Sequence, residues 1–335
     1  MSRQPLLIVN ADDFGMTPGV SAGILDAHDH GIVTSTSVLA NGRALTDYAR
    51  RLLDTPTLGV GAHLAIVGED PPLLSATEVP TLLDPTGRFC LTWKHFLGRA
   101  IAGRVDPEDI TREFTAQLER VRGLGFPITH LDAHQHLQLW PRVGDVLLAL
   151  AANAEIHAVR VPRYRHTTLV GASVSALATQ LARKADRRGI RHTADSIGIA
   201  IAGHVDLPTL ESVVVDLAAR QPTSVELTVH PGRGRDPDRA RYRWGYQWEQ
   251  ELATLISPSA LASVRRAGFR LGTYDDLTAD PPHAAAPTLR RASSGTAGAH
   301  ETAGREGRSD ERRSRRLHDD EEHHQVDATP DLGLR

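Results

Sequence analysis

An α/β fold built on a mostly parallel sheet is predicted by two features of the chain. From Leu6 to about Leu277, short β-rich runs alternate with longer amphipathic stretches, the pattern of strands joined by crossover helices. Polar residues suited to chemistry recur at or just beyond the ends of those runs. In barrels and open α/β sheets that edge is where loops converge and substrate binds, so a barrel-like closure would gather residues distant in sequence.

The first predicted strand, Leu6–Asn10, leads into Asp12, Asp13 and Gly15. Two adjacent acids can divide labour. One binds a cation while the other stays ionised and accepts a proton from water on the metal. The same pair would also suit a turn or a helix N-cap. Ser35–Leu39 is the second predicted strand, and Gly59–Leu64 the third, carrying His63 behind small residues that permit close approach. The fourth, His130–Asp132, lies in a run where His130, Asp132, His134 and His136 recur at spacing two. On an extended strand such residues share a face. Neutral imidazoles with a carboxylate are a common ligand set for a catalytic divalent ion, with coordination positions left for water and substrate. Spacing leaves open which of the four bind and which orient a ligand from behind. Ala158–Val161 carries Arg160; Ser224–Thr228 leads to His230, stiffened by Pro231; Arg270–Gly272 completes the set. A histidine titrates near neutrality, so His230 opposite an activated water could protonate a departing amine.

The chain has 335 residues and a formal net charge of -3, which gives no basic footprint for nucleic acid and no polybasic membrane anchor. A small molecule is the expected partner. The single cysteine, Cys90, excludes a disulfide framework and a thiolate-rich metal cluster, so metal chemistry must use nitrogen and oxygen. The start lacks a secretory pattern, and no stretch reaches the roughly 20 apolar residues of a membrane span. A soluble, cytoplasmic protein is expected. No repeat and no glycine-rich phosphate loop is present. Residues 1–278 are expected to form one catalytic domain. Residues 279–335 turn to Pro, Ala, Ser, Gly, Arg, Asp and Glu without an aromatic residue, the composition of a disordered tail. His323 and His324 in that tail could bind metal adventitiously.

Taken together, the motifs resemble the YdjC-like carbohydrate deacetylase family, whose best-known members deacetylate chitin disaccharides. The likeness covers roughly Leu6 to Leu277 and rests on Val9 to Gly15, Gly31 to Ser37, Gly61-Ala62-His63, Thr129 to His134, His230-Pro231 and Leu271 to Tyr274. It implies a distorted (β/α) TIM-like barrel related to polysaccharide deacetylases. It further implies a divalent metal held by Asp13, His63 and His134, with Asp12 as general base and His230 as general acid. His136 stands where relatives often carry histidine, behind the ligands or facing substrate; Arg160 and Tyr164 are weaker substrate candidates. The implied reaction removes the N-acetyl group of a sugar or glycoside, yielding acetate and an amino sugar, with no organic cofactor. Magnesium is the ion the resemblance implies, whereas Asp with two histidines suits zinc, cobalt, nickel or manganese. A homodimer would be a common assembly for such an enzyme.

Two rival functions remain at this stage. The same metal and water would serve a different acyl amide, and the barrel could persist as a sugar-binding protein without turnover. The likeness is weakest between about Gly68 and Trp93 and between Tyr164 and Val205, where substrate choice is expected to reside.

Overall fold

A computed structural model describes residues 4–163 and 169–277. Seven parallel strands form one sheet: β1 (Leu6–Phe14), β2 (Ser35–Leu39), β3 (Gly59–Leu64), β4 (Ile128–Ala133), β5 (Asp195–Ile197), β6 (Ser224–Val229) and β7 (Arg270–Leu271). Their order is β4-β3-β2-β1-β6-β5, with β7 pairing the start of β1. Helices alternate with them: α1 (Pro18–Asp29), α2 (Leu45–Leu53), α3 (Trp93–Ile101), α4 (Pro107–Gly123), α5 (Pro141–Asn153), α6 (Leu169–Asp186), α7 (Leu207–Arg220), α8 (Trp248–Leu255) and α9 (Pro258–Arg266). Four of them start alike. Thr17, Asp106, Asp206 and Ser257 cap α1, α4, α7 and α9, each followed within the first two helical positions by a proline that has no N–H to leave unpaired.

The sheet curls into a distorted barrel. The segment predicted as a strand at Ala158–Val161 appears only as isolated bridges, Leu131 to Val159 and Ala158 to Arg191. Those bridges nonetheless carry the curvature from β4 around towards β5.

Strand alternation sorts the side chains. Leu7, Val9 and Ala11 of β1, with Val225, Leu227 and Val229 of β6, face a helix-covered core, and Ala62, Leu64, Leu131 and Ala133 of β3 and β4 face a second. The opposite positions face the barrel interior. At its lower end this interior is apolar, closed by Leu6, Ile8, Ala158, Tyr274 and Leu277. One layer up it is polar, with Asn10, Ser37, His130, Arg160 and Glu226 all buried. Gly61 makes room for that layer: a Cβ there would lie 2.3 Å from the His130 ring.

Two expectations change. β1 continues four residues beyond Asn10, so Asp12 and Asp13 lie on the strand, which slips register between Ala11 and Phe14 while Asp13 takes φ 69°. β4 stops at Ala133, and His134–Leu139 forms a 3-10 turn in which Gln135 and His136 have positive φ. Only His130 and Asp132 therefore share a strand face; His134 and His136 are aimed by the turn. Among the described residues no helix is long and apolar enough to cross a membrane.

Candidate active site

The irregular end of β1 and the turn after β4 bring three side chains to one point. His63 Nε2 lies 3.1 Å from His134 Nδ1, and Asp13 Oδ1 lies 3.5 Å and 3.4 Å from those two nitrogens. All three residues are buried, and Asp13 Oδ1 accepts no hydrogen bond among the described residues. A triangle of these sides has a centre about 1.9 Å from each corner, so a point just off its plane is about 2.1 Å from every donor, a typical ligand–zinc distance. The residues present fit a divalent cation.

Behind His63, Asp132 fixes the ring: its Oδ1 lies 2.7 Å from His63 Nδ1, which leaves Nε2 aimed at the triangle. A carboxylate behind a ligating imidazole sets tautomer and orientation. Asp132 Oδ2 in turn accepts from the Ser37 hydroxyl at 2.8 Å and lies 2.8 Å from an Arg160 nitrogen. Burial pulls His63 down, but Asp132, Asp12 and Asp13 outweigh it and lift the imidazole to about 9. The carboxylates thus favour positive charge at this position, which either a proton or a metal ion supplies.

Asp12 is held differently. Arg160 donates to its two oxygens at 2.7 Å and 2.6 Å, and Asn10 adds a third bond at 2.8 Å. Burial alone would raise the Asp12 carboxyl, yet Arg160 and His63 hold it far below the usual carboxylate range. Arg160 is itself fully buried and also donates to Glu226 at 2.7 Å, so its guanidinium serves three carboxylates. It is a strut of the interior rather than a group free to meet substrate. For Asp13, burial again raises the carboxyl while neighbouring His134 and His63 bring it below its ordinary value.

His230 reaches the same cavity from the end of β6. It is buried, its Nδ1 has no hydrogen-bond partner among the described residues, and burial lowers it below 6.5 despite Asp12 and Asp13 nearby. Its backbone N–H donates to Glu251 of α8, a carboxyl that burial pushes up to about 7. His130 lies lower, between the Ser37 and Thr129 hydroxyls and stacked on Tyr274 at 3.8 Å; burial takes it down to about 3, a neutral core imidazole. His136 is likewise lowered to about 3, first by burial and then by Arg160, and its Nδ1 is unpartnered among the described residues.

A family model described as YdjC-like protein matches residues 6–266. The chain belongs to the YdjC-like family. At 36% identity it resembles a carbohydrate deacetylase of Brevibacillus brevis, over 81% of this chain and 99% of that one. A chitooligosaccharide deacetylase of Klebsiella pneumoniae is 32% identical over the same shares. Among solved structures, an Enterococcus faecalis protein named for cellobiose-phosphate cleavage superposes with a TM-score of 0.68 at 24% identity, covering 82% of this chain and 98% of that one, which shows a shared fold. The motif resemblance and the barrel it implied are both borne out.

In this YdjC-like protein the five residues singled out by their motifs, Asp12, Asp13, His63, His134 and His230, meet in one buried cluster. Ser37, Glu226 and the load carried by Arg160 were not foreseen, because nothing local marks a residue that acts through partners far along the chain. An aromatic strap was also missed, although the signal was present. Tyr242, Trp244, Tyr246 and Trp248 alternate within seven residues of a chain with only four Trp and five Tyr. Tyr164, His323 and His324 lie outside the described residues.

Proposed function

We propose that this protein is a metal-dependent carbohydrate N-deacetylase, with Asp13, His63 and His134 holding a divalent ion. The observation that carries the reading is the triangle of buried donors, 3.1–3.5 Å on a side, beside Asp12, a carboxylate that Arg160 holds ionised. The curated relatives' names supply the substrate class. One aspartate and two imidazoles suit zinc, cobalt, nickel or manganese better than magnesium, which prefers oxygen ligands throughout.

When bound, such an ion makes water more acidic and polarises the acetamide carbonyl. Asp12 accepts the proton of the attacking water. Arg160 keeps it ionised and correctly placed, at the cost of a weaker base. The water oxygen bonds to the carbonyl carbon, the C–N bond breaks, and His230 delivers a proton to the departing nitrogen. Acetate and a free amino sugar leave. Burial holds His230 below its ordinary value, so the imidazole takes up the proton that Asp12 received from the water, passes it to the departing nitrogen and returns to its neutral form.

Acetate release from a panel of N-acetylated sugars tests this, with metal-stripped protein and single divalent ions restored. Metal-restored release is the expected result. Acetate from none of the sugars under any ion, with intact sugar binding, would leave a non-catalytic sugar binder instead.

A further inference from the structure

Two loops meet above the metal-binding triangle. One follows β3 and contains Gly68, Glu69 and Asp70; the other is the aromatic strap Tyr242–Trp248. They are stitched by hydrogen bonds: Tyr242 donates to the Asp70 oxygens at 2.9 Å and 3.0 Å, and Trp244 Nε1 donates to Glu69 Oε1 at 3.0 Å. The strap's rings touch in sequence, with centroids 5.2 Å apart for Tyr242 and Trp244, 5.4 Å for Trp244 and Tyr246, and 5.5 Å for Tyr246 and Trp248.

The two middle rings of this cluster reach the chemistry. Trp244 lies 5.4 Å from the His134 ring, and Tyr246 lies 4.7 Å from His230. Tyr242 and Trp248 are buried and anchor the strap, whereas Trp244 and Tyr246 are only partly covered and keep ring surface for a ligand. Tyr246 seats over Gly203, where any Cβ would lie 2.1 Å from its ring, so that position tolerates no side chain. Beside Trp244, one Glu69 oxygen is used by the indole while the other, Oε2, is buried and has no partner among the described residues. A buried acceptor left in that state is unfavourable unless a donor satisfies it.

We propose that Trp244 and Glu69 form the subsite that selects the sugar: the indole takes the apolar C–H face of a neutral pyranose, and Glu69 Oε2 accepts one of its hydroxyls. A pyranose presents both features together, an apolar face and a donor-rich edge, and an aromatic plane beside a carboxylate answers both. A free carboxylate oxygen at the edge disfavours an anionic substituent there. Tyr246 continues the wall towards His230, on the side where the departing nitrogen must lie. The inference rests on the deacetylase reading for its substrate class and goes further by naming what recognises the sugar.

The test separates binding from turnover. Full-length, metal-stripped protein is titrated calorimetrically with the disaccharide of N-acetylglucosamine, and acetate release is then followed on metal-loaded protein. Trp244→Ala is expected to weaken binding about tenfold, with Trp244→Phe restoring most of it because the apolar face returns. Glu69→Gln is expected to weaken binding about fivefold and to raise KM with kcat nearly unchanged. Melting curves report whether each variant folds, and Trp244→Phe and Glu69→Gln preserve packing should the alanine variant not. Wild-type protein that gives no binding heat, or variants that bind as the wild type does, would overturn the subsite. Sugar binding that weakens as expected without acetate release from any protein would sink the deacetylase reading and leave the subsite standing.

Discussion

Two groups of three buried residues share His63, and each has the composition of a cation site. Asp13, His63 and His134 form one; Asp12, His63 and Asp132 form the other. What separates them is Arg160. Its guanidinium already lies against both Asp12 and Asp132, so the second group contains a permanent positive charge, whereas among the described residues the first has a carboxylate oxygen without a hydrogen-bond partner and only imidazoles beside it. Burying ions without compensation is expensive, and the interior resolves that expense differently on the two sides of one imidazole. Residue type alone does not identify a metal site; the charge already present beside the donors does.

The largest effect that sharpens this comparison is expected at Asp12. Asp12→Asn should lower acetate release about 10²–10⁴-fold while leaving metal content unchanged, because the residue lies in the group that Arg160 completes. Unimpaired turnover in that variant would remove Asp12 from the chemistry.

Arg160→Met is the next. Removing the guanidinium leaves Asp12, Asp132 and Glu226 buried without their partner, a loss of about 3–5 kcal/mol that denaturant titration can read. A variant as stable as the parent would show that the strut carries no load.

A smaller effect comes from pH. His63 is raised from 6.5 to about 9, so in metal-stripped protein its proton stabilises the fold fully below 6.5 and is lost as pH climbs through 9. Glu251, raised to about 7, changes state lower and leaves the pH 7–9 interval mainly to His63. Stripped protein should therefore melt roughly 5 °C or more lower at pH 9 than at pH 7. Metal-loaded protein, in which the ion takes the proton's place, should change far less; parallel melting of the two forms would contradict the assignment of His63.

Much of the fold was legible because the sheet obeys local rules. β2 and β3 occupy the predicted residues, since each is a short apolar or small-residue run bounded by turn signals. β5 was missed: three residues, Asp195–Ile197, carry too little alternation to stand out. The cluster itself was readable from motifs ending in Asp13, His63, His134 and His230. Its geometry was not, because it depends on two departures from regular backbone, the positive φ of Asp13 and the turn that begins at His134. The network around Arg160 was invisible for another reason: its bonds to Asp12 and Glu226 join residues 148 and 66 apart in the chain.

The central claim is that the ion belongs to Asp13 and not to Asp12, and metal content per chain tests it most directly. Wild type, Asp13→Asn and Asp12→Asn would be loaded with zinc, freed of excess and assayed by mass spectrometry; asparagine tolerates the positive φ at position 13, so the backbone is preserved. The account predicts near-stoichiometric zinc in wild type and Asp12→Asn, and its loss from Asp13→Asn. Zinc retained by Asp13→Asn and lost from Asp12→Asn would place the ion in the other group and contradict the account.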